Sequence, residues 1–305
     1  MVVTAGFAAL ITNVSVVFDN NAYSGVGFER LRRIQTAEVA RSVRPLASLV
    51  VAQELLAGVL DSDDDRRTRT RRALVRLWSH CQDVIDGRPI IRFIADIDSQ
   101  IRKLHMGEQE TDRELVDSFG SIVGEVGEIL SSDLSADLSD FDEYLNFVSN
   151  HVAERETMYK RDMRAVANEI NDGIRSILQY RAMAPMLLIE RAISDPVQLE
   201  IALDPYRSDL IPVVSKLCAI GLDLHVETLS TIQRENASRV DPNTLWDEEI
   251  CCATSLHSTI NQSTVVLVTE EKKLRSSAAV AGAGDRVVSL CKYEYLLALE
   301  PWQRK

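Results

Sequence analysis

The spacing of hydrophobic positions changes character three times along the chain. Val14 to Phe18 is a β-branched and aromatic run that stops at Asp19-Asn20-Asn21, the pattern of a strand ending in a turn. A helix is predicted over about Phe28 to Val43. Pro45 then interrupts it, because the proline ring blocks continuation. The segment LASLVVAQELLAGVL that follows reads as a second apolar helix running through Glu54. Gly58 and the acidic stretch Asp61 to Asp65 mark the next boundary.

From about 61 to 220 the pattern is helical almost throughout. Leu74, Leu77 and Val84 share one stripe behind an acidic helix start, where carboxylates complement the helix dipole. Leu115, Phe119, Ile122, Val126 and Ile129 step by fours and threes, as do Phe141, Leu145, Val148 and Val152, and then Met163, Val166, Ile170, Ile174 and Ile177. The Ser- and Asp-rich stretch 131–140 turns one helix into the next. Stripes of this kind must be buried against one another, so a helical hairpin or small bundle is expected.

The last zone, 221–305, carries two compact β-branched runs, STVVLVT and RVVSL, each preceded by a helical pattern. Strands alternating with helices imply a parallel sheet covered on both faces. Residues 1–60 and 221–305 therefore read as two parts of one discontinuous α/β domain, and 61–220 as a long helical insertion.

Composition narrows the choice of chemistry. The 305 residues are 46% hydrophobic and 26% charged, which fits a folded globular chain. Thirty-four Lys and Arg against 46 Asp and Glu leave a net charge of −12, so any nucleic acid must be held locally, by a basic patch or a metal. The five cysteines form no CxxC pair, so buried free thiols in a reducing cytoplasm are expected. The apolar start lacks a basic segment before it, and no apolar run reaches 18 residues without a charge, so neither a signal peptide nor a membrane span is expected. HExxH, Walker A and G-x-S-x-G motifs are absent, and His80 and His151 read as packed or exposed helix residues. Gly282 and Gly284 precede a strand and read as a turn.

In open parallel sheets, ligands sit beyond the carboxyl ends of the strands. Asp19 follows the first strand, and Glu270 and Glu271 follow VVLVT. Glu54 lies inside an apolar helix, where an ionised carboxylate needs a cation or hydrogen bonds. Asp247 opens DEEICCAT.

These segments resemble the motifs of PIN-like nucleases. VVFDNN is similar to the family's strand-one signature, with Asn21 two positions after the acid. AQELLAG resembles its second acidic motif, DEEICCAT its D-x-x-I-A-x-x-A helix start, and VVLVTEEKKL its T-x-D motif, with Glu271 in the place of the commoner Asp. RVVSLCKYEYLLAL is similar to the strand and short helix that often close that fold. The resemblance covers 1–60 and 221–305. It implies a three-layer α/β domain with a central, mostly parallel sheet, and a phosphodiesterase dependent on Mg²⁺ or Mn²⁺, usually an endoribonuclease, acting on single-stranded RNA or DNA. Asp19, Glu54, Asp247 and Glu271 would be the catalytic and metal-binding acids, and Asn21, Thr269 and Glu270 would support them by hydrogen bonds. A toxin or defence effector is compatible with that activity.

Each residue also has a plainer reading. Asp19 could cap a helix, Asp247 could be a helix N-terminal acid, and Glu271 could pair with Lys272 or Lys273. Arg66, Arg67 and Arg69 could bind phosphate, or could balance Asp61 to Asp65 on a solvated helix face. Tyr23 and Trp246 could stack bases or belong to the core. The alternative to an enzyme is a PIN-like scaffold whose helical arm assembles with itself or with a protein partner.

Overall fold

The structure, a computed structural model, describes residues 13–85, 88–107, 109–235, 243–300 and 302, with the side chains of 83–85, 88–90 and 234–235 left aside. Its elements run β1 (Val14–Phe18), α1 (Asn20–Gly25), α2 (Phe28–Ala40), β2 (Arg44–Ser48), α3 (Leu49–Gly58) and α4 (Asp64–Cys81). A hairpin of β3 (Gln82–Ile85) and β4 (Arg88–Ile91) leads to β5 (Phe93–Ile94) and α5 (Ile97–Met106). Six helices follow: α6 (Glu110–Ser132), α7 (Asp142–Asn171), α8 (Ile177–Ala192), α9 (Pro196–Leu203), α10 (Leu210–Leu217) and α11 (Ala219–Glu235). The chain closes with α12 (Asn243–Ile260), β6 (Thr264–Val268), α13 (Lys272–Val280), β7 (Val287–Val288) and α14 (Leu290–Leu296).

Five strands form one all-parallel sheet in the order β5-β2-β1-β6-β7, so the α/β class expected from the sequence holds. Val16, Val17 and Phe18 are buried, as a central strand covered on both faces requires. The chain leaves β1 for β2 on one side and reaches β6 on the other. The strand order therefore reverses between β1 and β6, and the crevice beyond their carboxyl ends is where this topology places a ligand.

Two features depart from the sequence pattern. β2 occupies Arg44–Ser48, where the pattern gives a proline break followed by helix. The Ala47 N–H donates to the Arg92 carbonyl at 2.9 Å, toward β5, and the Pro45 nitrogen two residues earlier faces the same way, before β5 pairing begins at Ala47. Its missing N–H thus costs no ladder bond. The stretch 61–220, expected to be a helical insertion, also contains the β3–β4 hairpin and β5, an edge strand of the main sheet. The turn expected at 131–140 separates α6 from α7.

α3 is apolar almost all round, with Leu49, Val50, Val51, Ala52, Leu55 and Leu56 buried. It is wedged against α4 and α7, so the long helix of the middle stretch lies directly on the α/β core. α12 packs on α11, where Gly221 permits close approach: a Cβ there would stand 2.6 Å from Cys252 Sγ and 2.9 Å from the Glu248 carbonyl. Among the described residues no helix is long and apolar enough to cross a membrane.

Candidate active site

Asp19 is the first residue past β1 and is 6% exposed. One of its carboxylate oxygens accepts the Ala22 N–H at 2.6 Å, which starts α1 and makes Asp19 a helix cap, as its plainer reading had it. The other oxygen accepts the Thr269 hydroxyl from the end of β6. That hydroxyl in turn accepts the Glu271 N–H at 2.9 Å, so one buried threonine ties the β6–α13 loop to the end of β1. Thr269 thus hydrogen-bonds one of the carboxylates it was expected to align.

The remaining acids come from other layers. Glu54 projects from the second turn of α3, and Asp247 lies beyond the first turn of α12, which makes its reading as a helix-starting acid unsuitable. Burial pushes the Glu54 carboxyl up to about 8, helped by the nearby charges of Asp19, Asp247 and Glu156. Burial likewise raises Asp19 to about 6, against the opposing hydrogen bonds from Thr269 and Ala22, with Glu270 and Glu271 adding to the rise. Burial raises the Cys251 thiol in the middle of α12 too, and the charges of Asp247 and Asp19 both add to the rise. Glu54 makes no hydrogen bond or ion pair among the described residues.

Glu156 is the member that sequence reasoning missed. It stands on α7, and its Oε1 accepts the Trp246 indole N–H at 3.2 Å while Lys160 Nζ lies 3.8 Å from its Oε2. A signal for it exists: Glu156 continues the buried series Val148, Val152, Tyr159 and Met163 at spacings of four and three, an acid on an apolar stripe just as Glu54 is.

Other expected residues are placed differently. Glu270 is exposed, and its Oε1 accepts the Leu290 N–H at 2.8 Å, anchoring the start of α14. Asn21 is exposed on α1, and no hydrogen bond joins it to the acids. Arg66 pairs with Asp61 at 3.4 Å, Arg67 with Asp64, and Arg69 Nε donates to the Asp65 carbonyl at 3.3 Å. All three arginines are thus engaged by the acids and carbonyls of their own helix start, as the solvated-face reading had it. Two further arginines of α4 are structural: Arg71 donates to the carbonyls of Val59, Leu134 and Ala136, and Arg76 to that of Tyr23. Tyr23 and Trp246 are buried at 0% and 4%, so neither offers a face to a base.

Among the described residues no three His, Cys, Asp or Glu side chains form a ready-made metal site. What these acids offer is hard oxygen donors in a low-dielectric setting, two of them raised by burial and by neighbouring carboxylates, Asp19 to about 6 and Glu54 to about 8, and one, Glu54, without a hydrogen-bond partner among the described residues. That donor set suits Mg²⁺ or Mn²⁺ and suits neither a soft metal nor an anion. No family model matches the chain, and neither the curated proteins nor the solved structures contain a match to it.

Proposed function

We propose that the chain is a metal-dependent phosphodiesterase of PIN-like type with a three-layer domain, cleaving single-stranded RNA within the strand. The observation that carries this reading is that the raised carboxyl of Glu54 feels the charges of Asp19, Asp247 and Glu156, acids from three other elements, of which Asp19 ends β1 at the reversal of strand order. A purely structural role would leave acids paired with cations or exposed. For Asp19 and Glu54 burial and like charge oppose ionisation, an arrangement that a divalent cation relieves.

Asp19, Glu54 and Asp247 would hold the ion, with Glu156 and Glu271 beside them. When bound, Mg²⁺ or Mn²⁺ supplies Lewis acidity toward the phosphate and lowers the pKa of attacking water. Thr269 fixes the rotamer of Asp19 by donating to one carboxylate oxygen, and the Ala22 N–H fixes the other. Glu54, which burial and the neighbouring carboxylates keep largely protonated at neutral pH in the absence of a cation, would ionise on meeting one. Lys160 beside Glu156, and Arg275, whose Nη1 donates to the Thr269 carbonyl at 2.7 Å, are the cations positioned to meet the phosphate backbone. RNA is preferred to DNA on the PIN-like resemblance alone.

The test is cleavage of end-labelled single-stranded RNA and DNA with Mn²⁺, Mg²⁺ or EDTA, with Asp247→Asn alongside. Metal-dependent cleavage that disappears in the variant supports the reading. Cleavage that is absent, or indifferent to EDTA, removes it. A second reading, a PIN-like scaffold assembling through its helical arm, has one observation in its favour: Ile174 and Leu178 are 64% and 78% exposed around the α7–α8 turn. Light scattering that finds a clean monomer counts against it.

A further inference from the structure

A cavity of about 670 Å³ that none of the four acids lines is bordered by α3, α5, α7, α8, α11 and α12. Its size falls within the range of small-molecule sites, and its composition is divided in the way such sites are. Met158, Met163, Val166, Leu188 and Leu245 supply an apolar wall. The polar wall centres on Glu249, which is 2% exposed. One oxygen of Glu249 accepts from Arg155 at 2.5 Å and lies 3.4 Å from Arg191. Its other oxygen, Oε2, is buried with no hydrogen-bond partner, and so is Gln53 Oε1 on the same cavity lining.

Two buried acceptors on one cavity lining have no donor among the described residues, and an N–H or O–H group that reached them would offset the cost of burying them. The charge of the lining selects among donors. Six carboxylates face three guanidiniums around the cavity, which favours a cation and opposes an acid.

We propose that this cavity binds an amphipathic primary amine, with the ammonium donating to Glu249 Oε2 and Gln53 Oε1 and the apolar body lying on the wall around Met163 and Leu188. The occupant would also bear on the acid site. Arg155 stacks 5.1 Å from the centre of the Trp246 ring, and Trp246 holds Glu156. Gln53, Arg155 and Glu248 on the lining are the chain neighbours of Glu54, Glu156 and Asp247. The binding inference is independent of the nuclease reading, and its test reads heat of binding and not cleavage.

The experiment is isothermal titration of the full chain with tryptamine, with its neutral alcohol analogue tryptophol, and with indole-3-propionate. Tryptamine is expected to bind saturably, about tenfold or more tightly than tryptophol, with no binding of the carboxylate. Glu249→Gln is expected to weaken tryptamine by about tenfold. Because that change also releases Arg155 and Arg191, Val166→Trp is run beside it, to fill the apolar half without touching the ion pairs. A folded Val166→Trp protein that no longer binds supports the assignment. Absence of saturable binding up to about 1 mM, equal binding of the carboxylate, or wild-type affinity in Val166→Trp overturns it.

Discussion

Trp246 donates its indole N–H to Glu156 across 3.2 Å, joining the first turn of α12 to the middle of α7. The bond explains how an acid from the long helical stretch comes to stand near the acid that ends the central strand and the acids of α3 and α12. Trp246 is one residue from Asp247, so the contact sets two acids of the cluster at once. Replacing Trp246 by Phe keeps most of the buried ring and removes only the donor. The expected result is a stability loss of about 1 kcal/mol, measured by urea unfolding, with a larger proportional loss of metal-dependent cleavage. Cleavage unchanged in a protein that has lost that stability would separate Glu156 from the chemistry.

Asp19 and Thr269 give a sharper pair of variants. Asp19→Asn retains an oxygen for the Ala22 N–H and so retains the start of α1, while removing the charge. Cleavage should fall by about a hundredfold or more with little change in the melting temperature. Thr269→Val keeps the shape and removes the hydroxyl that both donates to Asp19 and accepts from Glu271. Its expected cost is about 1–2 kcal/mol in stability and roughly tenfold or more in cleavage, since the carboxylate would keep its bond to the Ala22 N–H but lose the one that aligns its other oxygen.

How much of this was legible in the sequence follows from how local each signal is. β1, α2, β6 and β7 announce themselves by β-branched runs or helical spacing. β2 does not, because its five residues run into an apolar helix with no polar punctuation, and Pro45 reads as a breaker when the absent pairing opposite it is unknown. Asp19, Glu54, Asp247 and Thr269 are legible as acids and a hydroxyl at strand ends or in apolar surroundings. Glu156 is distant in sequence and is brought in by the packing of α7 on α3. Arg66, Arg67 and Arg69 were ambiguous because a basic run has the same composition whether it faces phosphate or its own acidic turn. Neutralising all three to Gln should leave the salt dependence of RNA binding unchanged, and should cost under about 0.5 kcal/mol for each exposed pair. A reduced salt slope in filter binding would return them to the substrate.

The raised carboxyl of Glu54 links metal to pH. Its folded value near 8 exceeds the ordinary 4.5, so the folded chain holds this proton more tightly than the unfolded one. The associated stability is complete below pH 4.5 and is lost as the pH rises through 8. A divalent cation favours the ionised form and opposes that loss. Stabilisation by Mn²⁺ should therefore increase between about pH 5 and pH 8, by on the order of 2 kcal/mol, and Glu54→Gln should flatten the increase. Thermal unfolding at several pH values, with and without Mn²⁺, measures it; a gap independent of pH would mean that Glu54 does not meet the ion.

A second pH dependence comes from the interior and needs no metal. His80 Nε2 lies 2.9 Å from Glu38 Oε2, the Tyr293 hydroxyl donates to Glu38 Oε1 at 2.7 Å, and the Tyr23 hydroxyl lies 3.0 Å from His80 Nδ1. The network clamps α1, α2, α4 and α14 around the underside of the site. Burial alone would lower the His80 pKa, but the Glu38 carboxylate and the bonds to Cys81 and Glu38 outweigh it and hold the imidazole up to about 10. The folded value lies above the ordinary 6.5, so the ion pair stabilises fully below that pH and its contribution is lost as the pH rises through 10. Urea midpoints should fall from about pH 7 to pH 10 in the wild type. Glu38→Gln alone would leave a buried imidazole without its counter-ion and should be strongly destabilising. The double variant His80→Gln, Glu38→Gln removes both charges, so it should lose this slope while remaining folded. A double variant that keeps the wild-type slope would place the titrating group elsewhere.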